Sequence, residues 1–116
     1  MKTHRDLEVW RASIDLARSV YDLTRQYPKE ELFGLVSQMR RASVSIASNI
    51  AEGAARNGDK EFMQFLYIAL GSASELDTHI EISRVIRICP EDHLQTLQND
   101  ITRVRMLISG LIRSLK

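Results

Sequence analysis

Along nearly the whole chain, apolar residues return every three or four positions, the spacing that lines one face of an α-helix. No stretch alternates convincingly with the two-residue period of a strand. Interruptions at Pro28, Asn57-Gly58 and Pro90 divide the pattern into four segments. They predict helices over about 7–26, 34–56, 59–88 and 90–115, joined by connections short enough to make successive helices antiparallel neighbours. An all-α, antiparallel up-down-up-down four-helix bundle in a single domain, 1–116, is the economical architecture.

The faces of these helices differ in kind. The fourth carries an a/d repeat through Leu94, Leu97, Ile101, Val104, Ile108, Leu111 and Leu115. The third places Phe62, Phe65, Leu66, Ala69, Ala73, Leu76 and Ile80 on one face, and then Ile82, Val85, Ile86 and Ile88 drift off it, so this end is expected to bend or to pack against something different. In the second, Leu35, Met39, Ala42, Ile46, Ile50 and Gly53 define the core face with Asn49 beside it. Small residues there, and in "ALGSASEL" of the third helix, let backbones approach closely. A mid-helix glycine such as Gly71 costs about 1 kcal/mol relative to alanine and calls for a packing reason. Helices two and three are therefore expected to touch through small residues, with Ser72 or a carbonyl of helix three as the candidate partner of Asn49.

The first helix has two apolar stripes. Leu7, Trp10, Ile14, Ala17 and Tyr21 form one, assigned to the core of the monomer; Val9, Ser13, Leu16, Val20, Leu23 and Tyr27 form another, rotated by well over a quarter turn. A helix apolar on two sides is buried on two sides. Val9, Leu16, Val20 and Leu23, with Tyr67 and Leu70 of a second stripe on helix three, are thus the candidate interface between copies in a homo-oligomer. The remaining face of helix one, Arg11, Asp15, Arg18, Asp22 and Arg25, alternates in sign and reads as solvated.

Sixteen basic residues against fifteen acidic give a formal charge of +1, so any site for nucleic acid has to be local. The single cysteine, Cys89, excludes an internal disulfide and reads as a small half-buried hydrophobe in a reducing compartment. The N-terminus "MKTHRDLEVWRAS" has charges where a signal peptide has its apolar core, and no run approaches the roughly 20 apolar residues of a membrane span. A cytoplasmic protein that does not enter the membrane is expected.

Catalytic chemistry finds little support. A di-iron bundle site requires Glu-x-x-His motifs, which are absent, and the pair Glu75/His79 has the wrong spacing. No serine sits in a Gly-x-Ser-x-Gly elbow, and "GAARNGDK" lacks the spacing of a phosphate loop. Neither an enzyme nor a cofactor or metal is expected. The charged residues that remain, Arg40, Arg41, Arg56 and Lys60, read as structural ion pairs or as a surface for RNA phosphates, joined in the second case by Arg103, Arg105 and Arg113.

The run "FGLVSQMRRASVSIASNIAEGAAR" followed by "EFMQFLYIALGSASEL" resembles the bacterial four-helix-bundle proteins first associated with intervening sequences of large-subunit ribosomal RNA genes, the S23-type proteins. The resemblance extends from about Asp6 to Leu115, and its most specific positions include Gln38, Arg41, Asn49, Glu52, Gly53, Gly71, Ser72 and Glu75. It implies a homo-oligomeric ring, typically a pentamer, and connects the chain to accessory proteins of diversity-generating retroelements, which engage a reverse transcriptase and its RNA. Ala47 stands where relatives often have proline, and the basic excess of the retroelement proteins is missing. Two roles are consistent with these expectations: a self-assembling adaptor on RNA or a ribonucleoprotein, and a protein-binding scaffold ring without nucleic-acid contact.

Overall fold

The computed structural model describes residues 2–116. Four long helices appear where the apolar period predicts them: α1 (Glu8–Thr24), α2 (Ser37–Ala54), α3 (Asp59–Ile86) and α4 (Glu91–Leu115). Each packs against its neighbours in sequence, and α1 also meets α4, which closes a four-sided bundle measuring 43 × 22 × 20 Å. Leu16 and Val20 of α1, Met39, Ile46 and Ile50 of α2, Leu66, Leu76 and Ile80 of α3, and Leu94, Ile101 and Ile108 of α4 fill the interior. Removing these side chains from water is what holds the four helices together.

Helix ends deviate from expectation by a few residues. Ahead of α1, Asp6 Oδ2 accepts the Thr3 amide at 2.8 Å, closing a short 3-10 turn (His4–Asp6), and Leu7 takes the cap position. At α3 the cap position falls to Gly58, whose φ of +113° suits glycine, and Asp59 becomes the first helical residue beside the positive end of the helix dipole. Between α1 and α2 the chain runs through a 3-10 turn (Lys29–Glu31) and a wide π turn (Leu32–Val36) in which Gly34 leaves helical φ/ψ. That break offsets the side chains on either side of it. Leu35 and Val36 enter the core, while Leu32 is exposed and Phe33 is 93% exposed. Along α4 the buried stripe runs from Leu94 to Ile108 and then moves to Ile112, leaving Leu111 and Leu115 half-buried. A straight helix drifts by about 20° per heptad, which accounts for the move.

The assignment of the two stripes on α1 is reversed in the structure. Val9, Leu16, Val20 and Leu23, expected to face other copies, are sealed inside the bundle, as are Ser13 and Tyr27 of the same stripe. They cannot form an interface between copies. Hydroxyls are accommodated on this buried side because Ser13, and Thr24 beside the stripe, donate to the Val9 and Val20 carbonyls, both at 2.7 Å. The other stripe lies at the bundle's margin, where aromatic side chains with polar edges are well placed. Trp10 is half-buried, flanked by His4 in an edge-to-face contact and by the Arg5 guanidinium at 5.4 Å, and Ile14 is exposed. Tyr67 remains exposed and Leu70 half-buried, so the α3 part of the expected interface still faces outward.

Helices α2 and α3 make the most extensive contact in the bundle. A Cβ added to Gly53 would stand 2.6 Å from the Phe65 Cβ and 3.3 Å from the Phe62 carbonyl oxygen, so glycine is required by the closeness of the two backbones. Gly71, expected to serve the same contact, is exposed and has nothing within 4 Å of the corresponding position. Gly53→Ala is expected to destabilise the bundle by about 1–3 kcal/mol through overpacking. Gly71→Ala is expected to stabilise the isolated chain by about 0.5–1 kcal/mol through helix propensity. Urea unfolding of both variants checks the pair, and a loss of stability at Gly71→Ala would place another chain against that position.

Candidate functional site

Near the start of α2, Arg40 is held in place without a carboxylate. Its Nε donates to the Thr24 hydroxyl oxygen at 3.0 Å, and its guanidinium carbon lies 4.6 Å from the centre of the Tyr21 ring. Thr24 can accept because its own proton is already directed to the Val20 carbonyl. Among the described residues no acid pairs with Arg40 or with Arg41 beside it. Stacking and one hydrogen bond fix the plane of the fork, and its other N–H donors remain available to an anionic group.

The two arginines edge a groove of about 730 Å³, whose walls are Tyr21, Leu32, Phe33, Val36 and Val44 with Ser37 and Ser45. On its other side Arg41 borders a smaller polar cleft of about 370 Å³ with Gln38, Ala42, Ser45 and Glu75. A hydroxyl network lines this α2–α3 seam. Ser45 and Ser72 share a hydrogen bond of 2.9 Å, and Asn49 Nδ2 donates to the Ser45 carbonyl at 2.8 Å and to its hydroxyl oxygen at 3.0 Å. Asn49 therefore reaches Ser72 through Ser45, and its direct carbonyl partner belongs to its own helix.

The positions singled out in the sequence separate into groups. Gln38, Arg41, Asn49, Ser72 and Glu75 gather along one seam. Glu52 and Gly53 lie at the far end of α2, where Glu52 accepts from Arg56 at 2.9 Å and Arg56 stacks on Phe65 at 4.9 Å. Arg56 is thereby engaged in holding the end of α2 to α3. At about 1.5 Å of rise per residue, the step from position 40 to position 56 sets Arg40 and Arg56 about 24 Å apart along the helix direction, so Arg40, Arg41, Arg56 and Lys60 do not make one continuous patch. Arg103 pairs with Glu8 at 3.2 Å, and Arg105 and Arg113 border a separate groove of about 530 Å³ with Leu70 and Met106. Tyr21, Thr24 and Phe33 escaped sequence reasoning as site residues. Tyr21 matched a core period, and no local pattern shows that a hydroxyl of α1 will meet an arginine of α2.

With this geometry in view, residues 5–110 match the family model described as 23S rRNA-intervening sequence protein. The chain belongs to that family. No curated protein matches it. Among solved structures, a protein with unknown function from the S23 ribosomal protein family of Bacteroides thetaiotaomicron superposes with a TM-score of 0.84 at 24% identity, covering 90% of this chain and 95% of that one. At that identity the likeness establishes the shared four-helix fold. Among the described residues of this family member, no helix is long and apolar enough to cross a membrane, and no group of three or more His, Cys, Asp or Glu is arranged to hold a metal ion.

Further along the seam of this intervening-sequence family chain lies His79, 4% exposed. Its Nδ1 is buried without a hydrogen-bond partner, and its Nε2 is 3.6 Å from Glu75 Oε2. Burial lowers the imidazole pKa below its ordinary 6.5, and the Glu75 carboxylate opposes that shift only in part. The unfolded chain thus takes up a proton at higher pH than the folded one. The stability contributed by the neutral imidazole is complete above about pH 6.5 and is lost as pH falls through the lower folded value. Urea midpoints measured between about pH 7.5 and 5.5 are expected to decline in the wild type. The decline should be shallower in His79→Leu, and identical slopes would remove His79 as the cause.

Proposed function

We propose that this protein is a non-enzymatic, self-assembling helical-bundle adaptor that meets RNA or a ribonucleoprotein through the arginines at the start of α2. The observation that carries the reading is Arg40, oriented by Thr24 and Tyr21 and without a carboxylate partner among the described residues, with Arg41 next to it. A planar guanidinium fixed in this way suits a phosphate oxygen pair. The family description, which names an intervening sequence of ribosomal RNA genes, points in the same direction. The balanced net charge makes a single copy a weak binder, and repetition of the arginine pair in an assembly multiplies its effect. The ring, with five copies as the family resemblance implies, belongs to this proposal, as does a cytoplasmic setting.

Self-assembly draws support from apolar surface left outside the core. Phe33, Ile68 and Tyr67 are exposed, and so are Ile82, Val85 and Ile86, which drift off the core face near the end of α3, with Val85 at 76%. Apolar clusters of this kind mark protein contacts on otherwise polar surfaces. The same surface favours the second reading, a scaffold that holds another protein and has no nucleic-acid contact.

Filter binding to a structured RNA over a range of salt separates the readings. Binding that weakens with salt is expected, and Arg40→Gln with Arg41→Gln should lower the log–log slope by about 0.7–0.9 for each phosphate that is no longer neutralised. Absence of binding at low salt, or a slope unchanged by the double substitution, would favour the scaffold.

A further inference from the structure

Immediately before the exposed Phe33 the chain reads Lys29-Glu30-Glu31-Leu32. Among the described residues neither glutamate has a cationic partner, just as Arg40 and Arg41 have no anionic one. One copy thus offers an acidic turn ending in an aromatic knob. The same face offers an apolar groove with an arginine rim, built on Tyr21 and Val44. The two halves are complementary in charge and in polarity, and among the described residues neither has its charges paired.

We infer that the occupant of this groove is a second copy of the chain. Phe33 of each copy enters the groove of the other, and Glu30 and Glu31 face the partner's arginine rim. Because knob and groove share one surface, the contact is reciprocal and closes on a two-fold axis. It joins copies in pairs, whether these are otherwise single or already members of rings closed through other faces. The largely apolar walls favour a protein segment over a polynucleotide as the occupant, since an RNA strand would leave the exposed Leu32, Phe33 and Val44 without apolar partners. The inference rests on the self-assembly proposed above and adds a regulation to it: the paired state covers the arginines, so RNA and the second copy compete for them.

Charge reversal tests the contact. Glu30→Arg with Glu31→Arg is one variant and Arg40→Glu with Arg41→Glu is the other, both checked for helical circular dichroism and a cooperative melt. Light scattering is expected to give each variant alone half the wild-type mass, and an equimolar mixture is expected to return to the wild-type mass, because both reciprocal contacts are then opposite in sign. Phe33→Ser, with the charges intact, should also halve the mass. Variants that keep the wild-type mass, or a mixture that fails to recover it, would overturn the inference while leaving self-assembly through other faces standing. An Arg40→Glu, Arg41→Glu variant that loses RNA binding at unchanged mass would assign the arginines to RNA and likewise overturn it. A monomeric wild type would remove self-assembly itself.

Discussion

The closeness of α2 and α3 is the constraint from which the rest of the surface follows. At Gly53 the two backbones leave no room for a methyl group, and farther along the seam the side chains that fit are small: Ala42, Ser45, Ser72 and Ala73. Buried or half-buried hydroxyls and an amide demand partners, and the seam supplies them through Ser45, Ser72 and Asn49. A narrow seam also decides where long side chains go. Arg40, Arg41 and Glu75 have no space between the helices and lie along the borders, which gives this face its polar rim.

A second consequence concerns what the bundle leaves uncovered. The break at Gly34 gives the segment two personalities within five residues, with Leu35 and Val36 in the core and Leu32 and Phe33 outside it. Toward its own C-terminal end, α3 continues past its core face and exposes Ile82, Val85 and Ile86. These apolar side chains are separate from the α1 stripe that first suggested association. The surplus of apolar surface is real, and it is carried by the helix entrances and ends, since all of the second α1 stripe is used internally.

Much of the architecture was legible from the residues. Helix number, order and antiparallel arrangement follow from the 3.6-residue period and three interruptions, because any amphipathic helix must bury its stripe and short connections leave few ways to do so. The role of Gly53 was legible as well, since a glycine on a core face signals a close backbone. Gly71 carried the same signal and lies exposed. The candidate site was legible only in part: Arg40 and Arg41 stood out by charge, whereas Thr24 and Tyr21, which orient Arg40, gave no sign of it. Arg56 and Lys60 looked similar to the first pair in sequence, and the length of α2 sets them at the opposite end.

The order of residues was enough to establish the set of helices, the apolar faces available on them and the membership of a family. It left open which of two apolar stripes on α1 the core would take. That choice depends on the shapes of α2 and α4, on hydroxyls that satisfy themselves within their own helix, and on the tolerance of Trp10 and Tyr21 for a half-exposed margin. Periodicity is a property of one helix taken alone. The face that becomes interior is set by the fit among four packed helices, and that fit exists only once they are assembled.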